Sequence, residues 1–267
     1  AVARALERFQ PDSVHIATEA PLGFAARSIL AAHGQRFTTS YHTQFPQYLR
    51  ARYPVPTAWS YAALRWFHGA AGRTMVNTPR VRDELAAQGF RNLVLWGRGV
   101  DTELFAPGPK DFLDLPRPVM AYAGRVAVEK SVEDFLALQL PGTKLVIGDG
   151  PALADLRARY PQAVFVGYRY GEDLARHLAA ADVFVFPSRT DTFGLVMLEA
   201  MACGLPVAAY PVTGPVDVVE DGVTGALDED LGTAVQRALQ LDPARCRAHA
   251  LTQGWDKATQ QFLGNLQ

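Results

Sequence analysis

Apolar positions along the chain fall into two rhythms, short unbroken runs and stripes repeated at helical spacing. Val2, Leu6 and Phe9 give the first helical stripe, and Val14 to Ala17 is a short apolar run that predicts a strand. The same reading places a helix over 23–33, a strand over 37–41, and a helix over 57–71 whose apolar residues Trp59, Ala62, Ala63, Trp66, Phe67 and Ala70 predict one buried face. A strand over 74–77, a helix over 79–88 and a strand over 93–96 follow. Strands alternating with helices predict a parallel α/β sheet.

The rhythm then breaks. Residues 106–118 hold four prolines in thirteen positions, which stiffens the segment and suppresses regular structure. Beyond it apolar runs at 119–123, 144–147, 163–166, 183–186 and 206–210 alternate with helical patterns at about 131–138, 151–159, 171–180 and 194–203. This predicts a second open sheet, and a fold of two Rossmann-like parallel-sheet domains. The expected organisation is a first domain over 1–105, a linker over 106–118 and a second domain over 119–250. A C-terminal segment over 251–267, helical from Trp255, is expected to pack back toward the first domain. The chain opens inside a helix and without an initiator methionine, so the first domain is expected to lack upstream elements.

Composition narrows the function classes. Hydrophobic residues make up 49% of 267, and 26 basic residues are balanced by 27 acidic ones. That balance argues against general nucleic-acid binding, which relies on net positive charge, and favours small-molecule chemistry. Cys203 and Cys246 have neither metal-ligand spacing nor a disulfide framework. The longest uncharged run, Ala200 to Val216, is interrupted by Gly204, Pro206, Pro211, Gly214 and Pro215, so it does not predict a spanning helix. No signal-peptide pattern opens the chain, and the expected setting is cytoplasmic, with peripheral contact at the inner face of a membrane in view.

Three loops end strands of the second sheet, where ligands of open parallel sheets collect. In AGRVAVEK, Gly124 permits a sharp turn and Arg125 and Lys130 offer a planar fork and a point charge for a diphosphate. A solvated basic loop explains the same residues. In IGDGP, Gly148 and Gly150 allow close approach of backbone to a nucleotide, but Leu153 stands where a dinucleotide fingerprint needs its third glycine. A plain strand-to-helix turn is the alternative. In TDTFGLVMLEA, a helix beginning at Gly194 and stopping at Gly204 would present the amides of Gly194, Leu195 and Val196 at its positive end, a seat for phosphate. Asp191 precedes that end and Glu199 lies inside the helix; as acceptors both suit hydroxyl-rich ligands. An N-capping Asp191 with a solvated Glu199 is the other reading.

GRVAVEK, IGDGP, FPS at Phe186 to Ser188, DTFGLVMLE and AMACGLP resemble, in order and spacing, the nucleotide-sugar domain of retaining glycosyltransferases of family 4, which have the GT-B fold. SYHT at Ser40 to Thr43, LWGRGVD at Leu95 to Asp101 and VEKS at Val128 to Ser131 resemble the subgroup of sulfoquinovosyl-diacylglycerol synthase and of bacterial lipid mannosyl- and glucuronosyltransferases. The resemblance covers essentially the whole chain.

It implies two domains facing a cleft and transfer of a hexose from a UDP- or GDP-sugar, with retention, to a hydroxyl acceptor such as diacylglycerol. It also implies that Arg125 and Lys130 bind the donor diphosphate and that Gly124, Gly150, Phe193, Gly194, Leu195 and Val196 surround the donor. Glu199 would hold the ribose and Asp191, one methylene shorter than the family glutamate, would touch the sugar. His42 would face the reacting sugar. No cofactor or metal is implied, since fixed cations replace a metal. The only D-x-D, at 228–230, reads as a helix start.

Phe45 to Tyr53 and then Trp59, Tyr61, Trp66 and Phe67 mix aromatics with Arg50, Arg52 and Arg65, as an acceptor face or a surface for an anionic membrane would. Core aromatics on a helix would give the same pattern. Two other classes stay in view: a fragment that binds nucleotide sugar without transferring it, and an NAD-dependent oxidoreductase, which the missing third glycine disfavours.

Overall fold

The computed structural model of the chain describes residues 2–53 and 55–266; the side chains of Tyr48, Ala51 and Arg52 fall outside the description. The chain divides into two units, Ala1–Gly97 joined by Asp256–Gln267, and Arg98–Trp255. Each is built on its own parallel sheet.

In the first unit α1 (Val2–Phe9) leads to β1 (His15–Ile16), then α2 (Pro21–Ala32), β2 (Thr38–Tyr41), α3 (Phe45–Arg52), α4 (Thr57–His68), β3 (Arg73–Val76), α5 (Pro79–Ala87) and β4 (Leu93–Leu95). The strands lie in sequence order, all parallel. Strand β2 is polar yet fully buried, because its hydroxyls are paired. Thr39 Oγ1 shares a hydrogen bond with Thr74 Oγ1 at 3.0 Å and meets His68 Nδ1 at 2.9 Å, while His68 Nε2 meets Glu19 at 2.8 Å.

Helix α4 reverses the expectation from its pattern. Of the expected stripe only Phe67 points inward, beside Leu64 and His68, whereas Trp59, Ala62, Ala63 and Trp66, and Ala70 just past the helix, are exposed. Both flanks of α4 carry apolar residues, so the stripe that sequence spacing picks out is not the one the sheet covers.

The second unit runs β5 (Val119–Ala123), α6 (Val132–Leu136), β6 (Thr143–Ile147), α7 (Leu153–Arg159), β7 (Val164–Gly167), α8 (Gly171–Ala180), β8 (Val183–Phe186), α9 (Leu195–Ala202), β9 (Val207–Ala209), α10 (Pro215–Val218), β10 (Gly225–Leu227), α11 (Leu231–Ala238) and α12 (Pro243–Leu251). Its strand order is β10-β9-β8-β5-β6-β7, all parallel. Side chains alternate between two cores: Val119, Ala121 and Ala123 of β5 enter one, Met120 and Tyr122 the other. Asp230 caps α11, its side chain accepting from the Gly232 amide at 2.9 Å, so the 228–230 acids do begin a helix.

The proline-rich residues 106–118 lie inside the second unit, and the division falls earlier, between Gly97 and Arg98. Prolines lack an N–H but keep a carbonyl, and here the segment is tied by side chains. Thr143 Oγ1 donates to Pro116 O at 2.7 Å, Lys110 donates to Ala181 O, and Arg117 pairs with Asp182. Helix α13 (Trp255–Asn265) then rejoins the first unit beside β4. The Trp96 indole N–H donates to Ala258 O at 3.1 Å, Gly97 N to Gln261 at 3.0 Å, Asn265 to Leu95 O at 2.8 Å and Arg73 to Gly264 O at 2.9 Å.

Candidate active site

Strand order in the second sheet reverses at β5: its chain-order neighbour β6 lies on one side and β8 on the other. Loops leaving β5 and β8 therefore part in opposite directions and open a crevice at the carboxyl ends of the strands. The loop after β5 is 124–130 and the loop after β8 is 187–194, two of the three that the sequence singles out.

The third, after β6, locks against the first. Gly124 N donates to Ile147 O at 2.9 Å, Val126 N to Asp149 O at 2.9 Å and Ala152 N to Val126 O at 3.1 Å. A Cβ on Gly148, whose φ is +150°, would stand 1.8 Å from Gly124 O, and one on Gly150 would stand 2.3 Å from Val126 O. These glycines let two backbones touch, and Gly148 also lines the cavity that opens beside them. The loop after β8 is tied to the first as well. Lys130 Nζ meets Asp191 Oδ1 at 2.5 Å and Thr190 Oγ1 donates to Glu129 O at 3.2 Å.

Between these loops lies a cavity of about 790 Å³. Its wall includes Gly124, Arg125, Lys130, Asp191, Gly194, Leu195, Val196 and Glu199. Gly150 and Phe193 stand off it, Gly150 pressed on Val126 and Phe193 on the adjoining core. His42 belongs to the first unit, half-buried just past the end of β2. Its ring lies 5.5 Å from that of Trp96, which in turn packs on Phe262.

The electrostatics of the wall are uneven. Arg125 is exposed in the cavity, and its guanidinium has no partner among the described residues. Lys130 is held by Asp191, whose second oxygen is buried and unpartnered, as is the hydroxyl of Ser188. Two polar atoms buried without partners beside a cavity mark where a hydroxyl-bearing ligand would complete the bonding. Asp191 does not cap the helix: Gly194, at φ +81°, occupies the N-cap of α9 and no side chain caps the first turn. Glu199, one turn further in, is half-buried in the cavity wall. Burial pushes its carboxyl up to about 7, so near neutrality it is poised between donor and acceptor.

Four further lining residues had escaped the motif reading. Tyr122 lies at the cavity floor and donates to Arg125 O at 2.8 Å. Burial, then the charges of Asp191 and Glu129, raise its pKa. Tyr168, Arg169 and Tyr170 follow β7, with the two tyrosine rings stacked at 6.1 Å and exposed at the rim. The rule that ligands gather past strand ends would have found them, since 168–170 immediately follows an apolar run. No cluster of three or more His, Cys, Asp or Glu suited to a metal occurs among the described residues. Cys203 and Cys246 are buried, their thiols pushed up to about 12 and about 11.

Known proteins match at both levels. Residues 1–104 match the family described as Glycosyltransferase Family 4, and residues 117–241 match Glycosyl transferases group 1. The chain is 33% identical over 282 residues to a GDP-mannose-dependent alpha-mannosyltransferase of Mycobacterium tuberculosis, covering 98% of the chain and 74% of that protein. It is 35% identical over 245 residues to the sulfoquinovosyl transferase SQD2 of Arabidopsis thaliana, covering 83% of the chain and 48% of that protein. Among solved structures it superposes on sucrose-phosphate synthase of Thermosynechococcus elongatus with a TM-score of 0.83 at 24% identity, over 98% of the chain and 74% of that one. It superposes on HepE of Anabaena in complex with UDP at 0.77 and 19%, over 98% and 80%. The chain belongs to glycosyltransferase family 4, and its two parallel-sheet units are those of the GT-B architecture.

Proposed function

We infer that this glycosyltransferase moves a hexose from a UDP- or GDP-sugar to a hydroxyl, with retention at the anomeric carbon, and that the acceptor is a membrane lipid such as diacylglycerol. The observation that carries the donor half is the convergence, in one cavity, of an unpaired guanidinium, an ammonium, an uncapped helix start and two carboxylates. Departure of a nucleoside diphosphate concentrates negative charge on its β-phosphate. Arg125, Lys130 and the first-turn amides of α9 are aimed where that charge develops, and preorganised donors of this kind lower barriers because they need no reorganisation. Asp191 already orients Lys130 and keeps one oxygen for a sugar hydroxyl. Glu199, when ionised, accepts from ribose hydroxyls. The stacked Tyr168 and Tyr170 offer π-faces at the rim for the base.

For His42 the SYHT resemblance implies a contact to the reacting sugar. The lipid acceptor rests on the resemblance of SYHT, LWGRGVD and VEKS to the lipid-acting subgroup; the Arabidopsis relative is a sulfoquinovosyl transferase.

A thermal-shift panel of UDP- and GDP-sugars tests the donor half, since a ligand bound only by the native form raises apparent stability. One nucleotide class is expected to shift the melting temperature and the other to leave it nearly unchanged; no shift from any nucleotide sugar would remove the reading. Release of UDP or GDP on adding diacylglycerol separates a transferase from a module that binds only. Chelation by EDTA is expected to leave that release unchanged, because the fixed cations meet the leaving charge.

A further inference from the structure

The two cations of the cavity are aimed in different ways. Lys130 is aimed through its side chain, by the ion pair with Asp191. Arg125 has no such tether: its side chain is exposed in the cavity and bonded to no described residue, so its direction is set by the backbone that carries it. That backbone is held at one peptide. The unit joining Arg125 to Val126 has two hydrogen-bonding groups, and both are engaged. The Val126 N–H donates to Asp149 O at 2.9 Å, and the Arg125 carbonyl accepts from the Tyr122 hydroxyl at 2.8 Å. A peptide is planar, so a bond on each edge fixes the plane and with it the ψ of Arg125 and the φ of Val126. Val126 is fully buried, in the same core as Tyr122, and cannot turn to compensate.

Packing alone does not call for the oxygen of Tyr122. The residue is 2% exposed, and a phenylalanine ring would fill the same place in the core. A buried hydroxyl is costly unless it is bonded, and this one spends its proton on the Arg125 carbonyl. Room for it comes from Gly124, whose φ is +152°: a Cβ there would stand 3.0 Å from the Tyr122 oxygen. The turn that presents Arg125 therefore has a side chain missing where the hydroxyl passes. The proton also stays in place. Burial first, then the negative charges of Asp191 and Glu129, raise the pKa of the phenol, so it donates throughout the neutral range.

We propose that Tyr122 is a positioning residue for the leaving diphosphate: its hydroxyl sets the Arg125–Val126 peptide and so aims the Arg125 guanidinium at the terminal phosphate. This rests on the donor reading above. Its consequence is that the two cations are oriented independently, Lys130 by a carboxylate of the loop after β8 and Arg125 by a phenol at the end of β5.

The affinity gained on going from a nucleoside monophosphate to the diphosphate isolates the terminal phosphate. Titration calorimetry with UMP and UDP, and with GMP and GDP, reads that gain without an acceptor. Arg125→Ala is expected to remove most of it. Tyr122→Phe keeps the buried ring, and with unchanged circular dichroism it is expected to reduce the gain about fivefold, the scale of one hydrogen bond, while monophosphate affinity stays at the wild-type value. In the Arg125→Ala background Tyr122→Phe is expected to change nothing further, because the group it aims is gone. A hydroxyl that served only the fold would weaken monophosphate and diphosphate alike, or lower the gain equally in both backgrounds. Either result overturns the proposal, as does a Tyr122→Phe chain that binds the diphosphate as wild type does. Failure of the donor reading looks different: a wild-type chain that binds neither UDP nor GDP, or Arg125→Ala with an undiminished gain, removes that reading and the role of Tyr122 with it.

Discussion

Helices α9 and α4 both carry apolar residues on every turn and use them in opposite ways. In α9, Met197, Leu198, Ala200, Met201 and Ala202 are buried, and only the edge with Leu195, Val196 and Glu199 reaches the cavity. Helices α8 and α12 close over it, and Arg247 of α12 donates to Ala202 O at 2.8 Å. In α4, Leu64 and Phe67 suffice to meet the sheet, and the tryptophans are left outside. An apolar stripe therefore says nothing by itself of whether its own sheet covers it. Burial in α9 holds the helix start in place, which on the donor reading is where a diphosphate would be received. Exposure in α4 leaves Trp59 and Trp66 in solvent.

The strongest test of that contrast is on the buried side. Met201→Ala removes a fully buried side chain from the larger core and is expected to cost about 2–5 kcal/mol of stability, read by denaturant unfolding. A loss below about 0.5 kcal/mol would mean that α9 is not held as described. Next in size is Arg125→Ala. With no protein partner to lose, this side chain should leave the melting temperature unchanged while kcat/KM falls about a hundredfold, or roughly 3 kcal/mol of barrier. Intact turnover in that variant would remove Arg125 from the leaving-group site.

Much of this site could be read before any coordinates. Strand-end loops 124–130 and 187–194 were visible because apolar runs end there, and the Rossmann rhythm places such ends on one side of a sheet. The pairing of Lys130 with Asp191, 61 positions apart, was not visible, since only the reversal at β5 brings the two loops together. Gly148 and Gly150 stand out in sequence as points of close approach, and the visitor the structure shows there is the neighbouring loop. The short helix α3 was hidden among aromatics and a proline, and the outward turn of Trp59 and Trp66 lies beyond any periodicity argument. Spacing fixes which residues share a face and leaves open what that face meets.

Glu199 sharpens the comparison from inside α9, at an effect smaller than the mutations above. Its carboxyl titrates near 7 in the fold against 4.5 when exposed, raised by burial. Between those values the native state binds more protons than the unfolded one, so stability falls as pH rises through the window and levels off above it. The full shift corresponds to at most about 3 kcal/mol, reduced by water reaching the open cavity. Glu199→Gln is expected to abolish this slope. Donor affinity should move the opposite way in wild type, rising with pH through 7 as the ribose acceptor ionises. A pH-independent affinity would detach Glu199 from the ribose.

The smallest expected effect bears most directly on α4. Trp59→Ser replaces one of the largest side chains in the protein, at a site 73% exposed, and the change in stability is expected to stay within about 0.5 kcal/mol. The reason is that a side chain still in water has not gained the free energy of leaving it. Met201 has already made that gain in the fold. Denaturant midpoints of Trp59→Ser and Met201→Ala, measured side by side, therefore separate apolar surface the fold has used from surface it has kept. If Trp59→Ser costs as much as Met201→Ala, α4 is packed against protein in the free chain, and the two helices do the same job after all.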